Sequence, residues 1–561
     1  MTQNRLGRRR LLRAGGAFSV GAAALALIGC GSDDGDSSSS SATSGGQAKP
    51  TGGIITAAKG DPRKGGTFTR VTTGVANHSV VDNAQSGAYI YGVTTYDRPL
   101  TAKLTSDRYV LEAMEKIELI EPTKLVMTLK PNLVYQNKAP VNGRKVTGND
   151  IKATQEYVKT NPTSYNATLQ KGFLDRVEVS DDRTITYHLT QPSAYLFTGF
   201  YLGSPHSQAI IPAETLGTLK ESEAIGSGPF ELIEYQRDVR HFFKRFENYR
   251  DANKVYFDNR EVLQIIDAIA LESAFRSGQM HYWEPTGGIV SRLTSELQSP
   301  KFEHTEYLSL VFNGLTGMMN QKDGGPRPWN DIRVREAFYR LLNPQQFIDL
   351  AVGGRAVIPT GVIPAGFGPD LQLAASETAK YFKNDAAAAK QLLSAANYDS
   401  SKTWEVLISA GNSASATQAE VMQQQLGVAG IQTRPRPSPT AEFLDLISKA
   451  QYDFFLGSST GTDSTARPLR YQHSKTGFTF GNFGLYDATV DALIEKSEIE
   501  VNAEAQANLV KEIQRKALDL YTLSRPIFTE QQTVFYDGRL QNLEIDAIYG
   551  QTYEVGAWFS A

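Results

Sequence analysis

The 561-residue chain has a single cysteine, Cys30. No disulfide can form within it, so stability has to come from a buried core, which a chain of this length can build. Excess charge is missing too: 57 Lys and Arg against 60 Asp and Glu leave a net charge of −3. That excludes the basic footprint of a nucleic-acid binder. The seven histidines, at 78, 188, 206, 241, 281, 304 and 473, form no close pair at ligand spacing, so neither a metal site nor a cofactor is expected. No phosphate loop or dinucleotide fingerprint occurs, since Gly226 and Gly228 lie beside Pro229 in a turn. After residue 29 no apolar run approaches the roughly 20 residues needed to cross a membrane.

What is present begins at the N-terminus. Arg8, Arg9, Arg10 and Arg13 precede an apolar, small-residue segment from Ala14 to Gly29, about 16 residues long and the pattern of an export signal. Residues 1–29 are therefore set aside from the folded body. Leu27-Ile28-Gly29-Cys30 resembles a bacterial lipobox, which implies that Cys30 is lipidated and becomes the mature N-terminus. The alternative is a chance cysteine closing an ordinary signal. "GRRRLLRAGG" also resembles a twin-arginine signal, although other export signals share a basic start. Residues 30–64 carry the anchor and a Ser-, Gly- and Asp-rich linker with little to bury, a tether whose reach is roughly 30 Å. Several acyl chains hold a protein stably to a membrane where one holds it marginally.

Beyond the tether, strand and helix patterns are interleaved. "KLVMTLK" at 124–130 and "RTITYHL" at 183–189 alternate apolar and polar residues as half-buried strands do. "NDAAAAKQLLSAANYD" at 384–399 predicts a helix capped by Asn384 or Asp385 and ended near Asn397. From Asp487 to Leu523 the spacing predicts one or two amphipathic helices with Leu509, Ile513, Ala517 and Leu520 on one face. The fold class is α/β, without a composition break that would separate independent domains.

Several stretches, in order, resemble one family: the extracytoplasmic solute-binding proteins of ABC importers, in the oligopeptide-, dipeptide- and nickel-binding class (family 5). They are "GGTFTR" at 65–70, "YIYGVTTYDRPL" at 89–100, "KLVMTLKPNLVYQNKAPVNGRKVTGNDIKAT" at 124–154, "IIPAE" at 210–214, "IGSGPFELIEYQRD" at 225–238, "FRSGQMHYW" at 275–283, and "LVFNG" with "PWNDIRVREAFYRLLN" ending at Asn343. Two departures stand out. Asn142-Gly143 replaces the family's Asp-Gly turn, and "SGQMHYW" lacks the family's acid. The resemblance implies a two-lobed periplasmic-binding-protein-like fold (type II, large three-subdomain variant). Lobe I is expected from residues 65–107, 224–310 and 527–561, a family-specific subdomain from 108–223, and lobe II from 311–526.

The resemblance further implies a monomer that takes a peptide-like or other small organic ligand between its lobes and delivers it to ABC transporter permease subunits, without catalysis. Contact candidates by position are Tyr96, Trp283, Asn313 and Asp463, where aromatics offer stacking area and polar groups orientation. For Tyr96 and Trp283 ordinary core packing is the other reading, and Asn313 can equally cap a strand end. Asp463 falls where peptide-binding members hold the substrate's ammonium, or else caps the turn "TDST". Those members also carry an arginine near this strand, whereas here only Lys449 lies near. An enzyme reading rests on Gly457-Ser458-Ser459-Thr460-Gly461, a G-x-S-x-G pattern. The sole later histidine, His473, follows 14 residues on, too soon for the intervening acid and elements of a hydrolase. A ligand-sensing subunit of a membrane signalling system is the remaining alternative.

Overall fold

Local rules account for the first sheet. In Lys124–Leu129 every second residue is buried, and the strand takes the middle of a four-stranded antiparallel sheet with Met114–Glu121, Thr184–Leu189 and Leu174–Val179. Asn142 and Gly143 both adopt left-handed backbone, φ 52° and 71°, which Asn and Gly tolerate best, so the replacement keeps the turn. Thr147 and Asp150 then form a reciprocal capping box that starts the helix Gly148–Thr160. Arg144 fixes the same carboxylate at 2.6 Å.

A computed structural model describes residues 58–72, 94–102, 109–161, 167–198, 201–204, 208–220, 222–285, 289–297, 299–311, 313–317, 327–410, 413–449, 451–458, 464–474, 487–545 and 552–561. Cys30, Ser459 and Asp463 lie outside the described residues.

The body is organised by a 12-stranded sheet that runs through both lobes. Its main path is Gln432–Ser438, Thr403–Ser409, Phe454–Ser458, Asn313–Gly317, Arg525–Asp537, Tyr282–Trp283, Thr67–Thr72, Asn259–Gln264, Arg240–Arg245 and Phe230–Gln236. The 13-residue strand Arg525–Asp537 belongs to both halves. Its first residues pair with Asn313–Gly317 and its last with Tyr282–Trp283, while Phe302–Leu308 runs along it from Asp537 to Gln531. The chain thus passes between lobes on adjacent strands. Ala365 N donates to Thr529 Oγ1 at 2.8 Å beside this crossing. Nearby, a Cβ on Gly366 would fall 2.3 Å from the Ser309 carbonyl oxygen, a close approach that requires glycine.

The predicted helices form. Asp385 caps Ala386–Ala395 by accepting from Ala388 N, and Asn397 leaves it in left-handed backbone. Residues 487–523 make two helices, Ala488–Ile499 and Ala503–Asp519, capped by Asp487 and Asn502. Leu509, Ile513 and Ala517 are buried and Leu520 packs partly against the same interior.

The lobe interiors differ in how they treat charge. Around the first half of the sheet, Arg98 pairs with Glu112 at 3.1 Å, Arg260 with Glu554 at 3.3 Å, and Arg250 with Asp97. Burial pushes the Asp97 carboxyl up, and Arg250 opposes that. In the second half, the Arg525 guanidinium lies 4.2 Å from the Tyr339 ring centroid and 5.1 Å from that of Phe382, so aromatic faces stand where lobe I uses carboxylates.

Candidate functional site

Strand direction places the site. Thr67–Thr72, Asn259–Gln264 and Tyr282–Trp283 are parallel, with their carboxyl ends at Thr72, Gln264 and Trp283, which Glu284 directly follows. Tyr282 faces Tyr536 and Trp283 faces Phe535 of the antiparallel crossing strand, so the chain beyond Trp283 heads toward the other lobe. In the second half, Thr403–Ser409, Gln432–Ser438 and Phe454–Ser458 are also parallel and end at Ser409, Ser438 and Ser458. Ser458 lies opposite Asn313, the first residue of its strand after the crossing, so these ends point back toward lobe I. Two carboxyl edges therefore face one another across the hinge, the place where open α/β sheets receive ligands.

Glu284 is the acid of the lobe I edge. Its Oε1 accepts from the Tyr307 hydroxyl at 2.5 Å, while Oε2 has no partner among the described residues. Burial pushes its carboxyl above the usual range, with the Tyr307 hydrogen bond and the Arg70 charge acting in the opposite direction. Arg70 itself donates to Thr552 Oγ1 at 3.2 Å and lies 5.5 Å from the Tyr282 ring centroid.

The lobes also meet away from the hinge. Segment 193–195, attached to lobe I through the packing of Leu196 and Leu202, reaches lobe II. Ala194 N donates to the Glu498 carbonyl at 2.8 Å. The Tyr195 hydroxyl sits 3.3 Å from Thr465 Oγ1 and accepts from Gln506 Nε2 at 3.2 Å. Burial raises this phenol to about 12, so it stays protonated at ordinary pH. Arg470 grips the Glu498 carboxylate at 2.5 Å and completes the lobe II side.

The sequence-derived candidates are not gathered in one place. Tyr96 is 1% exposed and belongs to the lobe I core with Phe68 and Phe230. Trp283 is buried against Phe275, ring centroids 5.7 Å apart, on the sheet face opposite Tyr282. Both rings are buried in packing contacts. Asn313 stands at the hinge, where the pairing of its strand with the crossing strand is interrupted by a register shift. Asp463 and Cys30 lie outside the described residues. Lys449 is engaged by Asp445 at 2.8 Å on an exposed helix end. His473 is engaged by Glu495 at 3.3 Å. His281, where the family's acid was missing, accepts from Thr69 N through Nδ1 at 3.0 Å, and burial holds its pKa down, as an acceptor ring requires.

Glu284, Tyr307 and Tyr195 were not singled out from sequence. The available signal was slight: an acid directly after the strand Tyr282–Trp283 and before "PTGG".

Comparison with known proteins agrees with this architecture. A Brucella ovis protein named as an ABC transporter peptide-binding protein is 25% identical over 374 residues, 65% of this chain and 67% of its own. The glutathione-binding protein GsiB of Salmonella typhi is 24% identical over 55% of this chain and 57% of its own. The periplasmic binding protein DppA of Helicobacter pylori, solved with the peptide STSA, superposes with a TM-score of 0.75 at 16% identity, covering 89% of this chain and 99% of that one. Residues 115–479 match the family described as bacterial extracellular solute-binding proteins, family 5 Middle. With well over half of its length matched, the chain belongs to the family 5 solute-binding proteins of ABC importers.

Proposed function

We propose that this protein is a lipid-anchored receptor that captures a small solute, peptide-like or another small organic molecule, between its lobes and delivers it to an ABC permease. The observation that carries the reading is the facing pair of carboxyl edges about a hinge of adjacent strands. A ligand that touches both edges favours the closed form by its extra contacts there, and the closed surface is what a permease would recognise. No bond is made or broken. In this reading Cys30 is the anchor, Asn313 and Asp463 contribute from lobe II, the lobes follow the segments set out above, and the receptor acts as a monomer. The named relatives bind peptides or glutathione, which supports a solute of that size.

Two measurements test it. Incubation with a casein hydrolysate, then gel filtration and mass spectrometry of the retained solutes, should recover unaltered ligand, and small-angle scattering should show compaction on binding. A chain that retains nothing and does not compact refutes the receptor. Separately, Cys30→Ala should move the protein from the membrane to the soluble fraction. A variant that stays membrane-bound refutes the lipid anchor.

A further inference from the structure

The carboxyl edge of lobe I holds an acid that differs from several other buried or half-buried carboxylates of the chain in what it lacks. Glu306 is paired with Arg355, Glu554 with Arg260, Asp453 with Arg327 and Glu498 with Arg470. Glu284 has no ion pair among the described residues. The Tyr307 hydroxyl fixes Oε1, and Oε2 has no partner among the described residues. Arg70 acts on it only through space, its Nη1 being turned to Thr552. Several bases of lobe II are engaged elsewhere: Arg327 with Asp453, Arg436 with Glu405 at 3.2 Å, and Lys449 with Asp445.

We infer that Glu284, oriented by Tyr307, receives a positively charged group of the solute, an ammonium or a guanidinium. The inference rests on the receptor reading and names the chemistry of its ligand. A glutamine would satisfy Tyr307 equally well through its carbonyl oxygen. Retaining a carboxyl there, at the cost of desolvating it, makes sense where a cation arrives to pair with it through a charge-assisted hydrogen bond. The groups that act on it directly are Arg70 and Tyr307, with Tyr282 next to it in the chain; Glu554 faces Tyr282 and Glu530 faces Tyr307. Of these the tyrosines titrate far above neutrality, since burial raises both phenols.

The test uses the chain as purified from the producing cell, with agmatine, the tripeptide Ala-Ala-Ala, its N-acetyl derivative and trehalose as probes, each followed by calorimetry and thermal melting. Agmatine or Ala-Ala-Ala is expected to bind and the acetylated peptide to bind at least about tenfold more weakly. Glu284→Gln should lower affinity for the cationic probe by about tenfold or more, and Tyr307→Phe by a few-fold. The ligand-free Glu284→Gln chain should melt higher at pH 7. A carboxyl raised on folding lowers stability above its folded pKa and has no effect below the unfolded one, so this gain vanishes as the pH falls below about 4. A group that only braced the fold would instead lower the melting temperature when replaced. Wild-type affinity for the cationic probe should fall between pH 7 and pH 5 as protons compete. Preference for the acetylated or neutral probes, or undiminished cation affinity in Glu284→Gln, overturns the inference and leaves the receptor reading standing. Failure of every probe overturns it as well, and the receptor reading falls with it only if the hydrolysate experiment also recovers nothing.

Discussion

The lobes are joined in two places built on opposite principles. At the hinge, Arg525–Asp537 is laddered on both sides and pinned by the Thr529 hydroxyl and the close approach at Gly366, so the strand ladder is what mainly holds it. At the rim, Ala194 and Tyr195 hold Glu498, Thr465 and Gln506 through a few hydrogen bonds. A ladder of this length persists through any lobe motion, whereas each rim bond contributes about 1 kcal/mol net and is replaceable by water. In the proposed receptor the difference would divide the labour: the hinge would set the axis the lobes turn about, and the rim how much time they spend shut.

Substitutions that act on one junction and spare the other put this division at risk. The largest effect is expected from Thr529→Pro, which removes a ladder hydrogen bond and the hydroxyl that Ala365 uses; about 3 kcal/mol or more of stability should be lost in urea unfolding. Retention of the wild-type midpoint would show that the hinge is not held by its ladder. Four residues earlier on the same strand, Arg525→Met should leave the midpoint unchanged or raise it by about 1 kcal/mol, because the buried guanidinium is pushed down by desolvation and faces rings rather than an acid. A large loss there would mean that the stacked charge is itself a structural pin.

At the rim, Tyr195→Phe should keep the unfolding midpoint while weakening solute affinity by about fivefold, the equivalent of 1 kcal/mol in closure. Scattering should show the ligand-free chain more open. Equal affinity and shape in the variant would leave the rim without a role in closure. Since burial holds the Tyr195 phenol at about 12, the rim contact itself should be insensitive to pH from 5 to 9. Ser459→Ala should change affinity by no more than a few-fold, and ester or peptide turnover that disappears with it would revive a hydrolase.

Features written by neighbours in sequence were legible. The Asn142-Gly143 turn and the cap at Asp385 depend on residues within a few positions, and each formed as its chemistry dictates. The site was less so. Glu284 gains its meaning from Tyr307 on another strand, and Tyr195 from Thr465, 270 positions away. Tyr96 and Trp283 mark a second limit, because an aromatic beside a strand end suits a core and a cleft equally well. The sheet face decides, and the Phe275 contact shows it for Trp283.

The crossing strand also dictates an order of assembly. It sits between Asn313–Gly317 and Tyr282–Trp283, yet begins only at residue 525 of 561. Until that strand leaves the ribosome, both half-sheets expose an unpaired edge toward the same gap, and an unpaired edge invites pairing with another chain. A nascent molecule is therefore vulnerable until residues 525–537 are made, and a truncation before them leaves two unfinished lobes instead of one finished lobe and one missing.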